Sequence, residues 1–230
     1  ETASIPEILS LPQFDMDTGE LIDRGMLLDP FLNPKPNLDP SVTDVAMVIG
    51  ACLWVPKPVW IECEGFPPWF QSLAEDMQLC CCARLRGHPV RVLPSSGYDH
   101  RVGGSFGGGK VVGGGLSTTY RRRSLSERNK TFTLMTCYPF PAMQLILPLH
   151  LLALLVEGAI LSLLRVDYRI LAYIYLPVFG ALWRYRKKIV QTRRHLQSRR
   201  KVSGRCFFRP FIPLPWKLVL LYRHGIPRIR

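Results

Sequence analysis

The sequence predicts an α/β module followed by a C-terminal helical region that associates with membranes. One basis is an apolar run over residues 45–55, Val-Ala-Met-Val-Ile-Gly-Ala-Cys-Leu-Trp-Val, which is ended by Pro56 and is β-branched enough for a buried strand or strand pair. A second is the apolar stretch 143–164, whose length approaches a membrane span. The third is charge: the net charge is +13, yet no Asp or Glu follows Asp167. Such a basic end suits an anionic partner, either nucleic acid or an anionic leaflet. With 47% hydrophobic and 20% charged residues, the chain is too apolar for a disordered segment. Its 230 residues can bury a real core.

Residues 1–46 are rich in Pro, Asp and Gly and read as surface loops with short extended pieces. Ser72 is placed to cap a helix beginning near Leu73, with Glu75 and Asp76 in the first turn and Gly87 stopping it beyond Arg84 and Arg86. A short strand follows over 90–93, closed by Pro94. Residues 103–115 are dominated by glycine and read as a mobile loop; without a strand leading in or an apolar helix leading out, they make a poor phosphate cradle. A helix is expected over 120–135. The seven cysteines, Cys52, Cys63, Cys80, Cys81, Cys82, Cys137 and Cys206, have no CxxC spacing. They read as reduced thiols packed as small apolar residues in a cytoplasmic protein. The chain begins at Glu1 with no recognisable secretory leader, which suggests a fragment or a processed product.

The stretch 143–164 is interrupted by Gln144, Pro148, His150, Glu157 and Ser162. His150 and Glu157 lie two turns apart and form one polar edge, and a carboxylate in mid-bilayer is costly. An interfacial or re-entrant helix and a true span therefore both stand open. The next apolar run, 170–183, is too short to cross a bilayer and leads into Arg184-Tyr185-Arg186-Lys187-Lys188. Leu182, Tyr185, Ile189 and Leu196 share the face opposite the bases. That pattern suits a helix on anionic headgroups with Trp183 and Tyr185 at interface depth, or a basic helix packed on its own domain.

Five short motifs then occur in order. They are Val48-Ile49-Gly50-Ala51-Cys52-Leu53, Glu64-Gly65-Phe66, Glu75-Asp76-Met77-Gln78-Leu79, Arg86-Gly87-His88-Pro89-Val90, and His100 ahead of Gly103-Gly104-Ser105. Each is weak alone, but their order and spacing over residues 14–138 resemble the second half of glycosyltransferase family 2, whose fold is called GT-A. The tail is similar to a membrane-associated bacterial branch of that family. The resemblance implies a partial GT-A (Rossmann-like) glycosyltransferase domain, its acceptor-side part, over 1–138. Apolar and basic amphipathic helices that associate with membranes follow over 139–203, and a basic, Pro-containing tail over 204–230.

What the resemblance implies for chemistry is transfer of a sugar from a nucleotide-sugar donor to a lipid-linked or cell-envelope glycan acceptor, at the cytoplasmic face of a bacterial inner membrane. Gly50 and Ala51 would border the acceptor. An inverting transfer needs a carboxylate to deprotonate the acceptor hydroxyl, and Asp76 takes that place with Glu75 in support. Complementing a helix N-terminus explains both acids without catalysis. His100 stands where relatives hold a metal or a diphosphate, and Arg128, before Asn129, where a guanidinium meets a diphosphate. A divalent metal, Mg or Mn, is expected in the full-length enzyme, gripped by an Asp-x-Asp pair in the family's first half. Asp15-Met16-Asp17 has that spelling but stands ahead of the acceptor strand in a polar stretch, and it is taken as a decoy. With the donor-binding half missing, the chain alone is expected to be inactive. Two rivals remain, a non-catalytic membrane-associated subunit and a basic nucleic-acid binder; no nucleic acid is expected, because the bases flank an apolar run instead of alternating with stacking aromatics.

Overall fold

The computed structural model describes residues 5–101, 108–112 and 115–230. It is α/β in the broad sense, with 49% helix beside small sheets. The Pro-rich start forms only three-residue strands: β1 (Ile8–Ser10), β2 (Gln13–Asp15), β3 (Leu21–Asp23), β4 (Met26–Leu28) and β5 (Pro34–Pro36). This segment is not the surface excursion that its composition suggests, because Ile8, Leu28 and Leu32 are fully buried. Short polar side chains supply the hydrogen bonds that a longer ladder would have made. Asp29 Oδ1 accepts from the backbone N–H of Phe31 and Asn33, and Asn37 Nδ2 donates to the carbonyls of Arg24, Asp39 and Val42.

The run 45–55 is likewise not a strand. Residues Val45, Ala46, Met47 and Val48 are buried, yet the segment meets its neighbours only through single bridges: Asp44 with Arg91, Met47 with Met26, and Trp54 with Leu9. β4 pairs with β5, and beyond that ladder Met26 meets Met47 by a single bridge. Then come α1 (Lys57–Glu62), a short 3₁₀ turn at Pro68–Phe70, and α2 (Glu75–Leu85). Every residue of α2 from Met77 to Leu85 is buried, and a helix buried on all sides favours small apolar groups on all sides. The Cys80-Cys81-Cys82 run fills that need with free thiols. α2 stops where Gly87 turns left-handed (φ +85°), as expected, and β6 (Val90–Val92) pairs parallel with β1.

β7 (Tyr98–His100) pairs parallel with β2, which also pairs antiparallel with β3. The glycine-rich segment is not wholly loop. Gly108–Val112 forms β8, antiparallel to β9 (Gly115–Thr118). Residues 103–107 and 113–114, which include the Gly103-Gly104-Ser105 motif, lie outside the described residues.

The helical half is centred on α3 (Tyr120–Cys137), which touches α2 and packs against the two long helices that follow it, most extensively the second. α4 (Ala142–Arg165) runs through Pro148 unbroken, and a π turn at Leu171–Tyr175 returns the chain into α5 (Leu176–Ser198). Gly158 permits that return, since a Cβ there would sit 2.8 Å from Leu171 Cδ1 and Tyr175 Cδ2. α6 (Gly204–Phe207), α7 (Trp216–His224) and β10 (Arg228–Ile229), parallel to β9, complete the chain. The main core joins Ile8, Val45, Leu79, Tyr138, Leu196 and Phe207, so it crosses the positions where composition changes, at 138–139 and 203–204.

The apolar face of α5 is covered by protein. Ile189 and Leu196 are buried, and Tyr185 stacks with Trp69 and Phe132 at ring distances of 5.7 and 5.6 Å. A face closed in this way suits a basic helix packed on its own domain, while Trp183 of the same helix is 71% exposed.

Candidate functional site

The backbone ahead of α2 is strained. Gln71, Leu73 and Ala74 all have positive φ, at 67°, 70° and 60°, a region that costs a non-glycine residue about 1 kcal/mol or more. This conformation, and not a Ser72 cap, starts the helix: α2 begins at Glu75, after Ala74, without a side-chain cap. Asn129 holds the loop in place, its Nδ2 donating to the carbonyls of Phe70 (3.0 Å), Ser72 (2.9 Å) and Leu73 (2.7 Å). Arg128 adds Nη2 to Phe70 O at 2.7 Å. Asn129→Ala would take this donor from the carbonyls of Ser72 and Leu73, while Phe70 O keeps Arg128; a loss of about 2 kcal/mol in stability is expected, read as a lower urea midpoint with unchanged m value.

The first turn of α2 then presents two carboxylates. Asp76 Oδ1 accepts the backbone N–H of Met77 at 2.7 Å, and Oδ2 accepts that of Gly50 at 3.0 Å. The first is a local bond to the amide of the next residue, within the first turn of α2. The second reaches across 26 residues and locks the carboxylate against the Gly50-Ala51 corner, whose two residues are exposed. Burial pushes the Asp76 pKa up; the two N–H donors and the positive charge of Arg122 offset this only in part. Glu75 is also raised, by burial first and by the neighbouring Asp76 charge, and its Oε2 has no hydrogen-bond partner among the described residues. The arrangement is a fixed carboxylate of enhanced basicity beside an open surface, which is what abstraction of a hydroxyl proton requires.

Asp76, Glu75, Gly50 and Ala51 are thus brought together. Arg128 is placed against Phe70 O and over the Phe132 ring, 5.8 Å from its centroid. The cation whose charge reaches Asp76 is Arg122, on the first turn of α3, where Thr119 Oγ1 accepts its backbone N–H at 3.2 Å. A capping Thr ahead of Arg121-Arg122-Arg123 was the available sequence signal. His100 pairs in register with Asp15, and its charge bears on Asp23. Asp15 Oδ1 accepts the N–H groups of Asp17 (2.9 Å) and Thr18 (3.1 Å), a turn that links β2 to β3, while Asp17 faces Arg101 at 3.8 Å. Among the described residues no group of three or more His, Cys, Asp or Glu is placed to hold a metal ion.

A second polar cluster lies between α3, α4 and α7. Lys217 Nζ bridges Glu127 Oε1 (2.8 Å) and Glu157 Oε2 (2.6 Å); Lys130 Nζ meets Glu127 Oε2 (2.9 Å) and Asn33 Oδ1 (2.7 Å); Arg123 pairs with Glu157. His150, nearly fully buried, meets Thr131 Oγ1 at 2.9 Å, and burial pulls its pKa down to about 4. The polar edge of α4 therefore faces protein. No family model, no curated protein and no solved structure matches the chain.

Proposed function

We propose that the chain is the acceptor-side part of a GT-A glycosyltransferase, moving a sugar from a nucleotide-sugar donor to a lipid-linked or cell-envelope glycan, and attached by its C-terminal region to the cytoplasmic face of an anionic membrane. The observation that carries the reading is the Asp76 carboxylate, raised in pKa and fastened to Gly50 N. It supports the role the motif order implies. Asp76 accepts the proton of the acceptor hydroxyl as that oxygen bonds to the anomeric carbon, and the bond from that carbon to the diphosphate breaks, releasing the nucleoside diphosphate. Glu75 and Arg122 set the potential at Asp76, while Gly50 and Ala51 leave the acceptor side open. Arg128 fits a supporting role, bracing the loop that aims α2. A divalent metal, Mg or Mn, belongs to the donor side of this reading.

The test is sugar transfer by the full-length protein, given membranes as the acceptor source and a panel of radiolabelled nucleotide sugars. One donor should label a lipid-linked or glycan product and release its nucleoside diphosphate. If no donor in the panel labels any product while the protein stays folded, the reading is wrong.

A further inference from the structure

α4 has two opposite faces. Its inner face carries buried His150, Leu154, Gly158 and Leu161. Its outer face exposes Leu145, Leu149, Leu152, Val156, Ile160 and Leu163, between 48% and 76% of each. Spacings of four, three, four, four and three residues put these on one line, about 27 Å long at 1.5 Å per residue. We propose that this outer face of α4 docks into an anionic lipid bilayer with the helix lying in the plane of the surface. The proposal rests on the membrane-attached reading above, and it names the attaching face and orientation.

Length and composition would also let α4 cross a bilayer, since it is 24 residues long with a hydropathy of 2.1. Its polar edge prevents that. Glu157 is bound to Arg123 of α3 and Lys217 of α7, and His150 to Thr131 of α3. A spanning α4 would either drag the charged helix α3 into hydrocarbon or leave Glu157 unpaired there, which is costly. Lying in the plane, α4 keeps every one of those bonds and still buries the outer line.

Charge selects the occupant. Beyond Glu157 the remaining acid is Asp167, which Arg169 pairs at 2.8 Å, and every later charged side chain is basic. An exposed apolar line on a chain of net charge +13 matches acyl chains beneath anionic headgroups. A second copy of a chain with net charge +13 would be repelled from the same face.

Flotation of the full chain with vesicles of phosphatidylcholine and phosphatidylglycerol tests this. The wild type should float with them and float less with phosphatidylcholine alone. Leu152→Glu combined with Ile160→Glu alters only exposed positions, so the melting temperature should hold while vesicle binding falls about tenfold or more. Lys187→Ala with Lys188→Ala, on α5, should reduce binding by less than about threefold. If the α4 variant floats like wild type and the α5 variant is released, the face is misassigned although membrane attachment survives. Should the wild type float with neither vesicle, attachment itself fails, and the proposal with it. A wild-type dimer that sediments as such without lipid and is broken by the α4 variant would assign the face to a second copy and overturn the proposal. Leu149→Ser with Leu152→Ser, a milder change, should give an intermediate loss; full retention would also overturn it.

Discussion

Glu127→Ala is expected to destabilise the protein by about 3–5 kcal/mol, a large part of the stability of an ordinary domain. Glu127 is 3% exposed and receives the ammonium groups of both Lys130 and Lys217. Removing it leaves buried Lys130 and half-buried Lys217 without their shared counter-charge, and Lys217 then relies on Glu157. Glu127→Gln should recover little, because it keeps the shape but not the charge. The cluster also sets an acid limit. Lys130 and Lys217 hold the Glu127 carboxyl well below the usual range despite its burial, and Lys217 and Arg123 do the same for Glu157. Carboxylates depressed in the folded state contribute stability that is complete above their ordinary value of 4.5 and drains as pH falls below it. Lys130 behaves oppositely, burial outweighing Glu127 and pulling its pKa down to about 8. Urea unfolding at pH 7 and at pH 4 should therefore show a smaller gap between Glu127→Ala and wild type at the lower pH.

The long helices were legible because their patterns are long: α3 was expected over 120–135 and ends at Cys137, and α4 matches the run at 143–164 to within a residue or so. The N-terminal segment was not, because Asp29 and Asn37 turn a loop-like composition into hydrogen-bonded supports for buried Leu28 and Leu32. Ser72 was a plausible cap on local grounds, but the left-handed Leu73 and Ala74 are set by Asn129, 56 residues away from Leu73. Periodicity likewise found the apolar face of α5 without saying what covers it, since Phe132 and Trp69 satisfy a Tyr185 as well as lipid does. At the site, Gly50 and Asp76 were legible through motif order. Arg122 was one of three successive arginines, and only the packing of α3 on α2 chooses it.

Asp76→Asn should lower turnover by about a hundredfold or more in the full-length protein, the scale of losing a general base, with donor affinity and vesicle flotation nearly unchanged. The amide keeps the volume, and its one oxygen can still accept the N–H of Gly50 while the bond from Met77 is lost, so a modest loss of stability and not a collapse of the α2 start is expected. Glu75→Gln should cost less, because its part is electrostatic. The most direct measurement is the pH dependence of kcat/KM, which reports groups of the free enzyme. A base raised by burial loses its activity as pH falls through that raised value, so the acid limb should lie clearly above 3.8, the ordinary aspartate value, and Asp76→Asn should abolish the limb along with most of the rate. An acid limb at or below 3.8, or a folded Asp76→Asn that keeps near-normal turnover, would contradict the assignment and leave Asp76 as a residue that only starts a helix.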